Sequence, residues 1–116
     1  WSSQARGYFL SDEITKNIED KITQDESSWR QPGEHSSGPL SCYDSADNRE
    51  RKNRALELAK QIGTEGQNIA GAWPINLDFP SFALIGPRVT EELISNLKNL
   101  DVELTDDQIN WLNLKN

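Results

Sequence analysis

Apolar positions recur at helical spacing along most of the chain. Between Ser45 and Ile62, Ala55, Leu58, Ala59 and Ile62 return every three or four residues while Arg and Glu fill the other faces, which predicts an amphipathic helix stopped by Gly63. Ile14, Ile18 and Ile22 follow Ser11, Asp12 and Glu13, a cap and an acidic first turn for a shorter helix. Thr64 with Gln67 has capping-box spacing for a helix carrying Ile69, Ala70, Ala72 and Trp73, weakened by Gly66 and Gly71 and ended or kinked at Pro74. Thr90, two acids, Leu93, Ile94, Leu97 and Leu100 predict another helix with one apolar side, and Thr105 with Gln108 caps a last one bearing Ile109 and Leu112.

The period changes in one place. Phe82-Ala83-Leu84-Ile85 is an unbroken apolar run between Pro80 and Gly86-Pro87, which predicts a short buried strand. Trp1 to Gln4 fits the tail of a strand whose beginning is missing, with Ala5-Arg6-Gly7 as a turn and Tyr8, Phe9 and Leu10 as the apolar anchor behind it. From Thr23 to Ser41 the composition shifts to Ser, Gln, Gly and Pro, which reads as an excursion loop. Strand, helices, strand, helices is the α/β order, in which parallel strands are joined by crossover helices. Two strands make no sheet alone, so this reading requires partners from residues upstream of Trp1 or from another chain.

Composition sharpens that requirement. The 116 residues suffice for one domain, yet only 34% are hydrophobic and mean hydropathy is −0.75, a poor supply for a full core. The chain begins at Trp1 without a Met or secretory leader, and no apolar run approaches the roughly 18 residues of a membrane span. A fragment of a soluble, cytoplasmic protein is expected. The net charge of −7 argues against a nucleic-acid surface, which needs clustered cations to displace counterions. Arg49, Arg51, Lys52 and Arg54 are interleaved with Asp47 and Glu50 and read as a solvated helix face. Cys42 has no partner for an internal disulfide and is a poor nucleophile, and His35 has no second ligand at metal-binding spacing.

The candidate chemistry lies after the apolar run. Gly86-Pro87-Arg88 leads into a helix start, where free backbone N–H groups, the positive end of the helix dipole and a guanidinium together make an anion site. Positions 88, 92 and 96 step by four, so Arg88, Glu92 and Asn96 share a side. The residues alone leave plainer readings open: Trp1 a core aromatic, Gly7 a turn glycine, Arg88 a surface cation, Asn96 a polar residue facing solvent.

Four stretches in order, Trp1-Ser2-Ser3-Gln4-Ala5-Arg6-Gly7-Tyr8-Phe9, Tyr43-Asp44-Ser45-Ala46-Asp47-Asn48, Phe82 to Asn96, and Leu104-Thr105-Asp106-Asp107, resemble the C-terminal part of the aldo-keto reductases. Only a variable loop region, residues 12–40, carries no match. The resemblance implies part of a (β/α)8 TIM barrel: the end of strand 7, strand 8 and the closing helices, with the remainder of the barrel upstream of Trp1. It implies an NADP(H)-dependent oxidoreductase that reduces aldehydes or ketones to alcohols. The nicotinamide would stack on Trp1, and Ser2 and Gln4 would also contact the cofactor. The turn at Arg6 and Gly7 would approach the pyrophosphate. Gly86, Arg88 and the helix start would take the 2'-phosphate, with Glu92 and Asn96 near the adenine or its ribose.

The family's catalytic Tyr, Lys, Asp and His would all lie upstream, so the segment alone is expected to be inactive, with no catalytic residue and no metal ligand of its own. The order Gly86-Pro87 departs from the family's common Pro-Gly. Ser95 stands where an acid is usual, and Gly71 and Pro74 interrupt a helix that the family continues. A second reading, from a different class, is a small acidic helical interaction module without catalytic activity.

Overall fold

In the computed structural model, which describes residues 3–24 and 38–115, regular structure is helical throughout. The helices are α1 (Asp12–Gln24), α2 (Pro39–Tyr43), α3 (Ala46–Ile62), α4 (Gly66–Ala72), α5 (Thr90–Leu97) and α6 (Asp106–Leu112), with 3-10 turns at Ala5–Gly7, Trp73–Asn76 and Lys98–Asp101. There is no strand among the described residues, which overturns the α/β expectation: they form an all-helical unit, not a piece of a (β/α)8 barrel.

The reason lies in what a strand needs. Its N–H and C=O groups must be taken up by a neighbour. Pro80 and Pro87 have no N–H to give, and no ladder joins Phe82–Ile85 to another described segment. The run lies at the surface instead, with Phe82 87% and Leu84 62% exposed. Ser3 and Gln4 form a turn, while Trp1 and Ser2 lie outside the described residues. Ser3 nevertheless lines a cavity of about 270 Å³ together with Phe82 and Ala83, so the two stretches approach without pairing.

Helix ends follow local chemistry where that chemistry is complete. Ser45 Oγ accepts from the Asn48 N–H at 3.1 Å to open α3, and Gly63 closes it at φ +85°. Thr105 and Gln108 form the expected reciprocal box at α6. α4 begins one residue later than expected, with Glu65 at its cap position, because the Thr64 hydroxyl donates to Asn68 Oδ1 at 3.1 Å. Pro74 ends α4 and turns the chain into a 3-10 segment. α2 arises inside the expected loop: Pro39 sits in its first turn, and the Glu19 carboxylate, from α1, accepts the Leu40 N–H at 2.8 Å.

The core joins Ala55, Leu58 and Ala59 of α3, Ile69 and Ala72 of α4, Val102 and Leu104, and Ile109 and Leu112 of α6, flanked by Phe9, Trp73, Leu77 and Trp111. Small residues allow α3 and α4 to approach closely. A Cβ on Gly66 would strike the Phe9 carbonyl and Leu56, and one on Gly71 would strike the Asn99 amide. These glycines therefore serve contact, not merely a weak helix. Asn76 takes the place of a strand neighbour: its amide donates to Ala72 O at 2.9 Å and Val102 O at 3.1 Å, and its oxygen accepts the Leu104 N–H at 3.0 Å. Ile14 and Ile62, expected in the interior, are exposed, as are Leu93, Ile94, Leu97 and Leu100. No helix among the described residues is long and apolar enough to cross a membrane.

Candidate functional site

The start of α5 gathers two donors on one anion. Val89 is the cap residue, with extended backbone (φ −136°, ψ 161°) and no side-chain cap. One residue earlier, the Arg88 N–H donates to Glu92 Oε2 at 2.8 Å and its guanidinium Nη2 donates to Glu92 Oε1 at 3.0 Å. The Arg88 main-chain N–H, then its guanidinium, hold the Glu92 carboxyl below the usual range. The guanidinium is otherwise open to solvent, its side chain 78% exposed. Gly86 has open space around it. Both donors are engaged by the chain's own Glu92 carboxylate.

The second predicted turn is built differently. Ala5, Arg6 and Gly7 all take positive φ, 48°, 56° and 92°, which for the first two is a strained left-handed conformation. Backbone bonds hold them there, Gly7 N–H to Gln4 O at 3.1 Å and Tyr8 N–H to Ala5 O at 3.0 Å, and the Thr15 hydroxyl donates to Gly7 O at 3.0 Å. The close approach expected at Gly7 is made by Ile18 of α1, which a Cβ there would displace. The exposed Arg6 directs Nη1 toward Cys42 Sγ at 3.7 Å, on the α2 side.

A polar relay connects the first turn with α5. Gln4 Nε2 donates to Gln67 O at 3.3 Å, and Gln67 Nε2 donates to Ser95 Oγ at 2.9 Å. Behind it the fully buried Asn68 donates to Ser95 O at 2.8 Å and to Asn99 Oδ1 at 2.9 Å. Gln4 is thus tied to the α5 side, whereas Arg6 lies with α2. Asn96 is buried within α5 rather than presented with Arg88 and Glu92. Trp1, Ser2 and His35 lie outside the described residues.

One polar cluster was not anticipated from the basic run. Lys52 is 4% exposed, not solvated. Its ammonium donates to Thr15 Oγ1 at 3.2 Å, meets Asp12 Oδ1 at 2.8 Å and lies 5.2 Å from the Tyr8 ring centre. The Tyr8 hydroxyl donates to Asp44 Oδ1 at 3.0 Å, and Arg49 pairs with the same carboxylate at 2.6 Å. Burial, then the Asp44 contact, push the Tyr8 hydroxyl up to about 12. The group ties α1, α3 and the first turn together. A signal was present in the sequence: Lys52 lies three and seven residues before Ala55 and Ala59, on the apolar face of α3.

Comparison with protein-family models, with curated proteins and with solved structures gives no match.

Proposed function

We propose that this chain is the cofactor-binding segment of an NADP(H)-dependent oxidoreductase reducing aldehydes or ketones to alcohols. In this proposal the catalytic acid and its partners belong to residues upstream of Trp1. The observation that carries the reading is the convergence of the Arg88 N–H and guanidinium on one carboxylate at the start of α5. A phosphate oxygen makes the same demand on the same donors. The ordered resemblance of the Gln4-Ala5-Arg6-Gly7 and Gly86-Pro87-Arg88 turns to the aldo-keto reductases supplies the identity of the ligand, a nicotinamide dinucleotide with a 2'-phosphate. The Gln4–Gln67–Ser95 relay supports placing the first turn and α5 in one site. The assignment of Asn96 to the adenine rests on the resemblance alone.

When bound, the nicotinamide supplies hydride. Arg88 and the first turn of α5 would hold the 2'-phosphate; assigning the pyrophosphate to the Gly7 turn, which packs on Ile18 and Thr15, rests on the resemblance alone. Arg88→Ala removes one charge-assisted contact of about 1.5–3 kcal/mol, so NADPH affinity falls roughly ten- to a hundredfold while NADH affinity stays nearly constant. Calorimetric titration with both cofactors checks this, and equal weakening of the two would refute the 2'-phosphate assignment.

The second reading, an acidic helical interaction module, is favoured by the exposed row Leu93, Ile94, Leu97 and Leu100. It predicts that neither cofactor binds.

A further inference from the structure

We propose that the cavity walled by Phe9, Ile69 and Trp73 is a ligand site of its own, which takes a small aromatic carboxylate with its ring between those side chains and its charge on Arg51. The inference stands apart from the cofactor reading, since none of the described residues assigned to the cofactor lines this cavity.

The cavity lies between the segment before α1, the helices α3 and α4, and the end of α6, and it holds about 210 Å³. Its walls are mainly apolar, and a cavity of ~150 Å³ lined by apolar side chains is already large enough to take up benzene. One ring with a carboxylate therefore fits. Phe9 and Trp73, half-buried against the core, supply aromatic surface that favours a flat guest through offset or edge contacts.

Arg51 decides the charge of that guest. Its neighbours in the basic run each reach a carboxylate, Arg49 on Asp44, Lys52 on Asp12 and Arg54 on Glu50. Arg51 forms no ion pair among the described residues, although acids outnumber Lys and Arg by 19 to 12 in the chain. Its Nη1 donates to the neutral Asn48 Oδ1 at 3.0 Å. A guanidinium carries five N–H donors, so donors remain for a carboxylate. No acid lines the cavity among the described residues, so nothing in its wall repels an anion. Ser3 lines it as well, and its buried hydroxyl has no hydrogen-bond partner among the described residues. Buried polar atoms are normally satisfied, and a guest oxygen would supply the missing acceptor.

The probes are benzoate and its neutral counterpart benzamide, titrated into the full chain and its Arg51→Gln and Ala70→Leu variants with amide chemical shifts as the readout. Ala70 lines the cavity, so Ala70→Leu fills it. Benzoate should shift the amides of Phe9, Ile69 and Trp73 and bind roughly tenfold more tightly than benzamide, the scale of one charge-assisted contact. Arg51→Gln should bring benzoate down to the affinity of benzamide, and Ala70→Leu should abolish binding of both. Should Ala70→Leu fail to fold, the position of the shifts in the wild type decides the site by itself. The proposal is overturned if neither probe binds, if the wild type binds the two equally, if the preference for benzoate survives Arg51→Gln, or if the shifts lie away from these residues.

Discussion

The Lys52 ammonium sits among Thr15, Asp12 and the Tyr8 ring, yet the Asp12 side chain is fully open to water. An ion pair with one solvated partner contributes little, and removing the cation leaves no buried charge behind, because Asp12 keeps its water. What Lys52 mainly supplies is its aliphatic stem, packed on the apolar side of α3. Lys52→Met should therefore cost less than about 1 kcal/mol, whereas Lys52→Ala should cost about 2 kcal/mol or more through lost packing. Urea denaturation of the two variants separates these terms, and equal costs would assign the energy to the charge.

Tyr8 carries a pH signature from the same cluster. Its hydroxyl is raised to about 12 in the folded chain from an ordinary value of 10.0, so the unfolded chain loses this proton first as pH rises. The resulting stability is fully present below the ordinary value, declines as pH climbs toward the folded one, and is gone above it. Across that window the wild type should lose stability more steeply than Tyr8→Phe; parallel curves would show that Tyr8 is not shifted.

Elements were legible where their signals are local. α3 carries its own cap, stop and periodicity, and α6 carries a complete capping box. α2 did not show in the sequence because the carboxylate at its start comes from Glu19, far away along the chain. On α1 the spacing of Ile14, Ile18 and Ile22 points inward in part: Ile18 packs on Gly7 and Ile22 is half-buried, whereas Ile14 is exposed and the fully buried residue is Thr15, drawn in by Lys52 and the Gly7 carbonyl. Phe82–Ile85 had the composition of a strand, but composition supplies no neighbour. Of the candidate site, the four-residue step brings Arg88 and Glu92 together but not Asn96; because Arg88 precedes the Val89 cap, the bonds from its N–H and guanidinium, not helix periodicity, make that pairing. The Gln67 relay was hidden, since nothing local marks a glutamine that bridges distant segments.

The glycines give a test at this scale. Gly63 has free space and only its positive φ to satisfy, so Gly63→Ala should cost about 1 kcal/mol. Gly66→Ala must move the Phe9 carbonyl as well as Leu56, and overpacking against backbone should bring its cost above about 2 kcal/mol. Thermal unfolding of both variants checks the order, and a reversed order would contradict the close packing of α4 beneath Phe9.

For the whole molecule, one side is finished and another is not. α3, α4 and α6 enclose a common core, while α5 leaves Leu93, Ile94 and Leu97 exposed, and Leu100 just beyond it is 70% exposed. The exposed row lies on the helix that follows Arg88, where the anion site is proposed. The Gly7 turn, by contrast, is braced on α1 and reaches α5 only through Gln4 and Gln67. The central claim is that these two turns form one dinucleotide site.

Amide chemical-shift mapping of the full chain during titration with NADPH tests that claim most directly. The account predicts coupled shifts at Arg88 and along the turn from Gln4 to Gly7, saturating at one ligand concentration. Shifts confined to one turn, or none at either, would contradict it.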